Sequence, residues 1–264
     1  MSSDSGRLPT DGPERDYVQS LSRGLTVLQA FNADRPAMTL ADMARATGLT
    51  RATARRLLLT LVALGYVCTD GRTFELTPRV LDLGFAYVSS LQLPDIAQPF
   101  MEALSSRVHE SVSASVLDGA EIVYVARVNT QRIMGISLAI GSRLPAAWTS
   151  MGRVLLAGLS DQQLDEFLAN LVVTELTSQS ITDIDRLRSE VLAVRSQGYA
   201  LIDQELEEGI RSVAAPLRDR RGRTSAAVNV GTHAARVTLK ELRGVILPDL
   251  LATARSIEIQ LAKR

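Results

Sequence analysis

The sequence predicts an α+β protein with two domains, a helical N-terminal domain that ends in a β-hairpin and a larger C-terminal domain of hairpins and helices. With 264 residues, the chain is long enough to form two hydrophobic cores. Apolar residues recur at helical spacing in the first 64 residues, whereas beyond residue 110 they occur in short strands joined by polar turns. Strand hairpins covered by helices are typical of the α+β class.

Three helices are predicted in the N-terminal domain. The first starts at Val18 and has ended by Pro36, because proline cannot continue a helix. Thr39 and Asp42 have the spacing of a capping box at the start of the second helix, and Gly48 ends that helix as a C-cap. We therefore expect the second and third helices to be joined by a very short turn.

The third helix is predicted from Arg51 to Leu64, and its sequence separates apolar residues from basic ones. Between Met43 and Thr69 the chain has four arginines and no acidic residue, so positive charge is concentrated here. The buried stripe of the third helix is predicted to contain Ala54, Leu57 or Leu58, Leu61 and Leu64.

A β-hairpin is predicted after the third helix, with its turn at Asp70 and Gly71, because both residues tolerate positive φ. Helix, short turn, arginine-rich helix and hairpin, in this order, make up a winged helix-turn-helix, whose recognition helix enters the major groove of DNA. We therefore predict a winged helix-turn-helix DNA-binding domain over residues 17–77. An N-terminal domain that binds protein instead is the alternative, and only DNA binding should weaken steeply as salt rises.

The predicted DNA contacts lie mainly at the start of the third helix. Arginine can bind phosphates or guanine, threonine can contact base edges, and alanine can contact the methyl group of thymine. The residues predicted to face DNA are Thr39, Arg51, Ala52, Thr53, Arg55 and Arg56, with Arg72 and Thr73 at the hairpin tip. For the two tip residues, a polar turn without DNA contacts is almost as good an interpretation.

The overall composition limits the kinds of partner and site. Lys and Arg number 29, as do Asp and Glu, so DNA binding must depend on a local basic patch. Cys68 is the only cysteine, and we expect it to be a small buried side chain. Because His109 and His233 are the only histidines, a zinc site cannot be assembled, and neither a metal nor a cofactor is expected.

Nothing in the sequence predicts a membrane or secreted protein. No apolar run reaches the ~20 residues that a membrane-spanning helix requires. Residues 1–16 lack the apolar centre of a signal peptide and are predicted to be a disordered polar tail. We therefore expect a cytoplasmic protein.

A linker helix is predicted over residues 78–93, with Pro78 as its first residue, and the second domain over residues 94–264. The second domain begins with a helix, and a hairpin that turns at Asp118 and Gly119 follows. The remaining elements are predicted as a strand at Ile133–Leu138, helices at 150–158, 161–170 and 183–197, strands at 199–203, 211–218 and 224–231, and a C-terminal helix from Thr238.

The start of the helix at Ser150 is a predicted anion site. The backbone N–H groups near Ser150 and Met151 have no partner inside the helix, and the helix dipole favours negative charge there. A ligand carboxylate is therefore expected to bind at this position, close to Trp148, the only tryptophan.

Residues 49–67, LTRATARRLLLTLVALGYV, resemble the helix-turn-helix signature of the IclR-type transcriptional regulators. Residues 148–153 and the double arginine Arg55-Arg56 are most similar to the Pca/Pob branch, which regulates protocatechuate, hydroxybenzoate and β-ketoadipate metabolism. Other segments similar to motifs of this family are residues 20–28, 140–145, 149–157 and 197–199, so the resemblance extends from about Tyr17 to the end of the chain.

The resemblance implies roles for further residues. Ser20 and Arg23 are expected to help hold the DNA backbone. The C-terminal domain is expected to be a GAF-like effector-binding domain, in which a curved antiparallel sheet and its helices enclose a small carboxylate. Further ligand contacts are implied at Asp203, Ser212 and Asn229, although Asn229 departs from the small hydroxyl side chains that are common at this position in the family.

Each implied contact has a structural alternative. Asp203 could cap a turn, Ser212 could be an ordinary strand residue, and Asn229 could satisfy backbone groups. Arg132 and Arg211 could supply a second positive charge for a dicarboxylate, but exposed strand ends are the favoured interpretation.

These observations predict a ligand-responsive transcription regulator that binds double-stranded DNA at a pseudo-palindromic operator. We expect a homodimer, with a dimer of dimers as the alternative, and a small carboxylic or aromatic acid as effector. Activation and repression are both left open, as is control of another carbon-catabolic pathway.

An enzyme is the competing class of function. The sequence has no GxSxG, no GxxxxGK[ST] and no GxGxxG after a strand, and no catalytic residue is predicted. Catalysis would therefore have to use carboxylates. The acidic cluster of Asp203, Glu205, Glu207 and Glu208 is interpreted as a solvated loop.

Overall fold

The computed structural model describes residues 17–32, 34–84, 92–129 and 138–263, in two compact units that divide at residue 87. The predicted N-terminal tail, residues 85–91 of the predicted linker helix and nearly all of the predicted strand Ile133–Leu138 lie outside the described residues. Leu93, predicted as the end of the linker helix, is the first residue of the next helix. Among the helices that are described, none combines the length and the apolar character needed to cross a membrane.

The N-terminal unit contains three helices and a three-stranded antiparallel sheet in the order β1-β3-β2. A short 3-10 helix, Pro78–Val80, follows the sheet, and residues 81–84 continue as helix. The elements are α1 (Gln19–Gln29), β1 (Ala37–Thr39), α2 (Leu40–Thr47), α3 (Arg51–Ala63), β2 (Val67–Thr69) and β3 (Thr73–Leu76). The predicted helices are confirmed, whereas β1 was not predicted, because three residues are too few to show a strand period.

The core of the N-terminal unit lies between the helices and one face of this sheet. Its fully buried side chains include Val27, Met43, Ala54 and Leu58. Leu64, which we predicted to be buried, is 51% exposed, because α3 ends at Ala63 and the next residue lies beyond the packed helix face. The predicted buried stripe is therefore correct except at its last member.

The hairpin between β2 and β3 has a longer turn than its Asp-Gly sequence predicted. Thr69 pairs with Phe74, so four residues, not two, separate the paired positions. The Asp70 carboxylate accepts the backbone N–H groups of Arg72 and Thr73 at 2.8 and 2.7 Å, and this Asx turn replaces the two-residue turn.

Cys68 is exposed, contrary to its prediction as a small buried side chain. It lies on β2 between Val67 and Thr69, and only Val67 points into the core. Because successive side chains of a strand point to opposite faces, Cys68 must face away from that core.

The C-terminal unit is built on a six-stranded antiparallel sheet in the order β6-β5-β4-β9-β8-β7. Its strands are β4 (Ser111–Asp118), β5 (Glu121–Val128), β6 (Arg143–Pro145), β7 (Ala200–Asp203), β8 (Ile210–Arg218) and β9 (Thr224–His233). Its helices are α4 (Leu93–Val108), α5 (Ser150–Ala157), α6 (Asp161–Ala169), α7 (Ile184–Gln197), α8 (Leu239–Glu241) and α9 (Leu247–Lys263). Hairpins and helices alternate as predicted, but β6 and the 3-10 helix Ala146–Trp148 after it were not predicted.

The predicted C-terminal helix is interrupted by a π-helical segment, Leu242–Ile246, between α8 and α9. Helix α4 contains an internal proline, Pro99, which removes one hydrogen bond of the helix without ending it. The apolar periodicity of the sequence predicts where a helix lies, but it does not predict such irregularities within the helix.

The two faces of the sheet have different character. One face is apolar and packs against α4 and α9, with residues such as Val112, Val213 and Val230 fully buried. Small residues on the opposite face, including Ala214 and Ala227, pack against α5 and its surroundings. Further along the strands, this second face becomes polar and forms one wall of a cavity.

A β-bulge changes the alternation of side chains along β5. Ala114 pairs with Ala126, but the next residue, Ser115, pairs with Tyr124, so that Val125 has no pairing partner. As a result Tyr124 and Arg127, which are three residues apart, both line the cavity.

Candidate functional site

The turn between α2 and α3 is held by side-chain caps at both helix starts. The hydroxyl of Thr39 accepts the Asp42 N–H at 3.2 Å and donates to the Asp42 carboxylate at 2.7 Å. This donated hydrogen bond, together with one from the Thr39 backbone N–H at 3.3 Å, lowers the pKa of that carboxyl. Gly48 adopts φ +67, and the Thr50 hydroxyl accepts the N–H of Thr53 at 3.2 Å. The start of α3 is thus fixed relative to α2 by local hydrogen bonds.

The start of α3 presents an exposed basic surface. Arg51, Arg55 and Arg56 are exposed, and none of them forms an ion pair with a described residue. Ala52 is exposed beside them, and Arg45 of α2 pairs only with the exposed Asp42. Guanidinium groups without counter-ions on a capped helix start are available to bind phosphates or base edges.

Three of the residues predicted to contact DNA already use their hydroxyl groups in hydrogen bonds within the N-terminal unit. The hydroxyl of Thr39 is used in the capping box, and the half-buried hydroxyl of Thr53 accepts a hydrogen bond from Thr50 at 3.0 Å. Thr73 donates its hydroxyl to Asp70 at 3.1 Å, whereas the side chain of Arg72 is exposed.

The hairpin tip also carries a negative charge. Hydrogen bonds from the backbone N–H groups of Thr73 and Arg72 lower the pKa of Asp70, so this carboxylate stays ionised at neutral pH. In α1, Ser20 is exposed and Arg23 is half-buried.

The cavity of the C-terminal unit encloses about 150 Å³ between the polar face of the sheet and the start of α5. Its walls contain five of the six residues predicted for the effector site, Trp148, Ser150, Met151, Ser212 and Asn229. The predicted residues are distant in sequence, and the fold brings them together here.

The start of α5 approaches the sheet closely. A Cβ at Gly152 would overlap the backbone of Ala146, so only glycine lets α5 pack this tightly on the 3-10 helix. Thr149 caps α5 by accepting the N–H of Gly152 at 3.1 Å. The N–H groups of the first turn before Gly152 have no intrahelical acceptor, and the residues that carry them, Ser150 and Met151, line the cavity.

Polar side chains on adjacent strands line the cavity opposite α5. The Ser212 hydroxyl donates to Ser150 Oγ at 2.8 Å and so connects β8 to the start of α5. On β9, Asn229 is buried, and its Oδ1 has no hydrogen-bond partner among the described residues. A buried acceptor in a cavity wall is a position at which a ligand can donate a hydrogen bond.

Trp148 contributes an apolar wall and is not free to bind a ligand through its N–H. It is 2% exposed, and its indole N–H donates to the carbonyl of Ile181 at 2.9 Å. Its position in the wall makes its fluorescence a direct reporter of what enters the cavity.

Three charged residues that line the cavity were not predicted from the sequence. Glu110 is buried and pairs with Arg236 at 3.1 Å, and both line the cavity. Arg127 also lines it, and burial lowers the pKa of this guanidinium. Sequence reasoning missed all three. For Arg127 the reason is that strict alternation along β5 would turn its side chain to the other face.

Asp203 is the one predicted effector residue that is not in the cavity wall. Its carboxylate forms two hydrogen bonds with Arg211, which also donates to the carbonyl of Val237 at 2.8 Å. This pairing leaves neither residue free to bind a ligand. Arg132, the other candidate for a second positive charge, lies outside the described residues.

Glu205 is buried, although the acidic cluster around it was predicted to be a solvated loop. Its carboxylate pairs with Arg153 of α5, whose side chain is 2% exposed and also donates to the carbonyl of Ala147. Burial raises the pKa of Glu205, and the charge of Arg153 opposes that rise. The pair ties α5 to the loop whose next residues, Leu206 and Glu207, line the cavity.

Both parts of the chain match families of known proteins. The family described as IclR helix-turn-helix domain matches residues 20–71, and Bacterial transcriptional regulator IclR C-terminal matches residues 85–259. The second match alone covers more than half of the chain.

Full-length relatives have the same two parts. The chain is 42% identical to the Pca regulon regulatory protein of Pseudomonas putida, with 99% of this chain and 90% of the relative covered. It is 37% identical to the p-hydroxybenzoate hydroxylase transcriptional activator of Acinetobacter baylyi, with 92% of this chain and 91% of the relative covered.

Solved structures show the same architecture. A protein from Rhodococcus sp. RHA1 superposes with a TM-score of 0.84 at 57% identity, covering 93% of this chain and 98% of the other. An IclR homologue from Microbacterium hydrocarbonoxydans, crystallised with 4-hydroxybenzoate, gives a TM-score of 0.82 at 26% identity, covering 92% and 98%. The chain therefore belongs to the IclR family of bacterial transcriptional regulators.

Proposed function

We propose that the chain is an effector-responsive regulator of genes for aromatic-acid catabolism in the protocatechuate, 4-hydroxybenzoate and β-ketoadipate pathway. DNA binding is assigned to residues 17–77, effector binding to residues 94–264, and the connection between them to residues 78–93. The observation that carries the proposal is one cavity that combines a helix start with buried polar groups, in a chain whose relatives include Pca and p-hydroxybenzoate regulators.

The proposed DNA site is the basic surface at the start of α3. Unpaired arginines there support phosphate and base contacts, and Ala52 is exposed on the same surface. Arg72 and Thr73 at the hairpin tip, together with Ser20 and Arg23 of α1, complete the proposed set with Thr39 and Thr53. Because one recognition helix covers only a half-site, we propose a homodimer on a pseudo-palindromic operator.

The proposed effector site is the cavity, with the ligand carboxylate at Ser150 and Met151. The hydrogen bond from Ser212 to Ser150 and the unpartnered Asn229 Oδ1 support a ligand with oxygen-bearing groups. Trp148 then packs against the body of the ligand. As a bacterial regulator that binds an operator, the protein is proposed to act in the cytoplasm, where the chromosome is, and not as an enzyme.

The decisive experiment measures effector and DNA binding with the full chain. We expect β-ketoadipate, protocatechuate or 4-hydroxybenzoate to change the fluorescence of Trp148 and, over the same concentrations, the affinity for operator DNA in a gel shift. If all three acids leave both signals unchanged, the proposed effector class is wrong. A log–log plot of DNA affinity against salt should have a slope of about −0.9 per phosphate contacted.

Two further outcomes would overturn other parts of the proposal. Conversion of any of these acids by the purified protein would support an enzyme. A footprint without two-fold symmetry would contradict the proposed dimer on a pseudo-palindrome.

A further inference from the structure

Arg127 differs from the other charged groups around the cavity. It lies on β5, is half-buried, and donates from Nη1 to the hydroxyl of Ser113 at 3.2 Å and from Nε to Asn129. Its guanidinium lies 5.9 Å from the ring centroid of Tyr124, which also lines the cavity. The side chain is therefore held in one place by neutral partners.

Arg127 has no carboxylate partner in the described part of the chain. The other arginine of the cavity wall, Arg236, is neutralised by Glu110, and Arg153 and Arg211, which do not line the cavity, are neutralised by Glu205 and Asp203. The segment that follows β5, residues 130–137, contains no acidic residue in its sequence. A half-buried cation without a counter-ion costs free energy, and an anionic ligand removes that cost.

The position of Arg127 separates it from the start of α5. Its partner Ser113 is on β4, whereas Ser212, which contacts Ser150 of α5, is on β8. These strands are two interstrand spacings apart in the sheet, roughly 10 Å. Between them lies Gly231 of β9, where an added Cβ would meet nothing within 4 Å. The cavity thus has open space between two separate polar ends.

We propose that Arg127 binds a second acceptor group of the effector, at the end of the ligand remote from the carboxylate bound at Ser150 and Met151. This inference rests on the proposed function of the cavity. A guanidinium has donors only, so the second group must accept: a second carboxylate, which arginine binds in a bidentate way, or a hydroxyl oxygen. Acids that lack such a group leave Arg127 without a partner and bind less tightly.

The test uses three acids that share one ring and differ only opposite the carboxylate: benzoate, 4-hydroxybenzoate and terephthalate. Dissociation constants for full-length wild type and Arg127→Met are measured by calorimetry. We expect wild type to bind at least one substituted acid about 10- to 100-fold more tightly than benzoate, the range for a hydrogen bond to a charged group. In Arg127→Met this preference should fall below about threefold, while benzoate binding changes little.

The arms of the test distinguish the possible second groups. A larger preference for terephthalate identifies a second carboxylate, and a larger preference for 4-hydroxybenzoate identifies a hydroxyl. Arg127→Gln is the second variant if Arg127→Met does not fold, and Arg221→Met is the control, because Arg221 is exposed in the turn after β8. The control should keep the wild-type preference.

Two results would overturn the inference about Arg127 without contradicting the proposed function of the cavity. An unchanged preference in Arg127→Met means that Arg127 does not bind the second group. An equal loss for benzoate and for the substituted acids means that Arg127 binds the first carboxylate or only shapes the wall. If wild type binds none of these acids and none of the proposed effectors, the effector site itself is wrong and the inference fails with it.

Discussion

The two recognition surfaces of this protein are built in opposite ways. The basic surface of α3 comes from neighbouring residues of one helix, and its arginines are exposed and without counter-ions. The cavity takes its walls from distant strands and one helix start, and two of its charged groups, Glu110 and Arg236, pair with each other. Exposed charge acts over long distances and is screened by salt, whereas enclosed polar groups act at contact distance and depend on geometry.

The difference implies that the two surfaces should respond to different perturbations. Ionic strength and the removal of charge should affect DNA binding strongly and effector binding weakly. Changes in shape or in buried pairing should affect the C-terminal unit strongly and the basic surface weakly.

The largest expected effect comes from the buried pair of Arg153 and Glu205. Glu205→Gln leaves Arg153 buried without a counter-ion, which costs about 3–5 kcal/mol of unfolding free energy. Urea unfolding followed by Trp148 fluorescence measures this loss. Glu208→Gln, an exposed change in the same loop, should stay within about 0.5 kcal/mol of wild type, and an equal loss in both variants would contradict the assignment.

The next effect concerns the arginines of α3. Single changes of Arg51, Arg55 or Arg56 to alanine should each weaken operator binding by about 1–3 kcal/mol where the arginine binds guanine. Where it binds a phosphate, the change should reduce the salt slope by about one and weaken all DNA sequences alike. Gel shifts over a salt series separate the two cases, with Arg221→Ala as control. Effector affinity should stay constant, and a parallel loss there would break the contrast between the surfaces.

A comparable effect on the other surface is expected from filling the cavity. Gly231→Leu places a side chain in the cavity at a position where an added Cβ meets no atom within 4 Å, and urea unfolding checks that the variant is folded. A ligand must then compete with this side chain, and we expect a loss of about 1–3 kcal/mol in effector binding, similar to overpacking a core. Calorimetry measures it, and unchanged effector affinity would place the ligand elsewhere. DNA affinity without effector should be unaffected.

The smallest effect is expected at the cap of α3. Thr50→Ala removes the acceptor of the Thr53 N–H and should destabilise the N-terminal unit by about 1 kcal/mol, whereas Thr50→Ser should preserve the cap. Hydrogen exchange at the first amides of α3 reports this change. If alanine and serine behave alike, the cap does not stabilise the helix.

The N-terminal unit could be predicted in detail because its signals are local. The capping box, the glycine between α2 and α3 and the arginine-rich helix start all depend on residues within four positions of each other. Two of the failures there were also local: the Asx turn at Asp70 lengthened the hairpin, and Leu64 fell beyond the end of its helix. The missed strand β1 was not local, because it pairs with β3 more than 30 residues later.

The cavity was harder to predict because its residues meet only in the folded sheet. Trp148, Ser150 and Met151 lie within four consecutive positions and were identified from the helix start, but Ser212 and Asn229 were identified only through the family resemblance. The pairing of Glu205 with Arg153 joins residues 52 positions apart, which no local pattern reports. The one available signal was Arg153 itself, a charged residue among the apolar residues of α5.

The bulge at Val125 has a consequence for how such a sensor can change its ligand during evolution. If Val125 instead paired with Ala114, regular alternation would place Arg127 opposite Val112, on the apolar face of the sheet. A one-residue change of register could thus remove a binding group without substituting any residue of the site. Among homologues, ligand preference should therefore follow the presence of this bulge as well as the identity of the residues in the cavity wall.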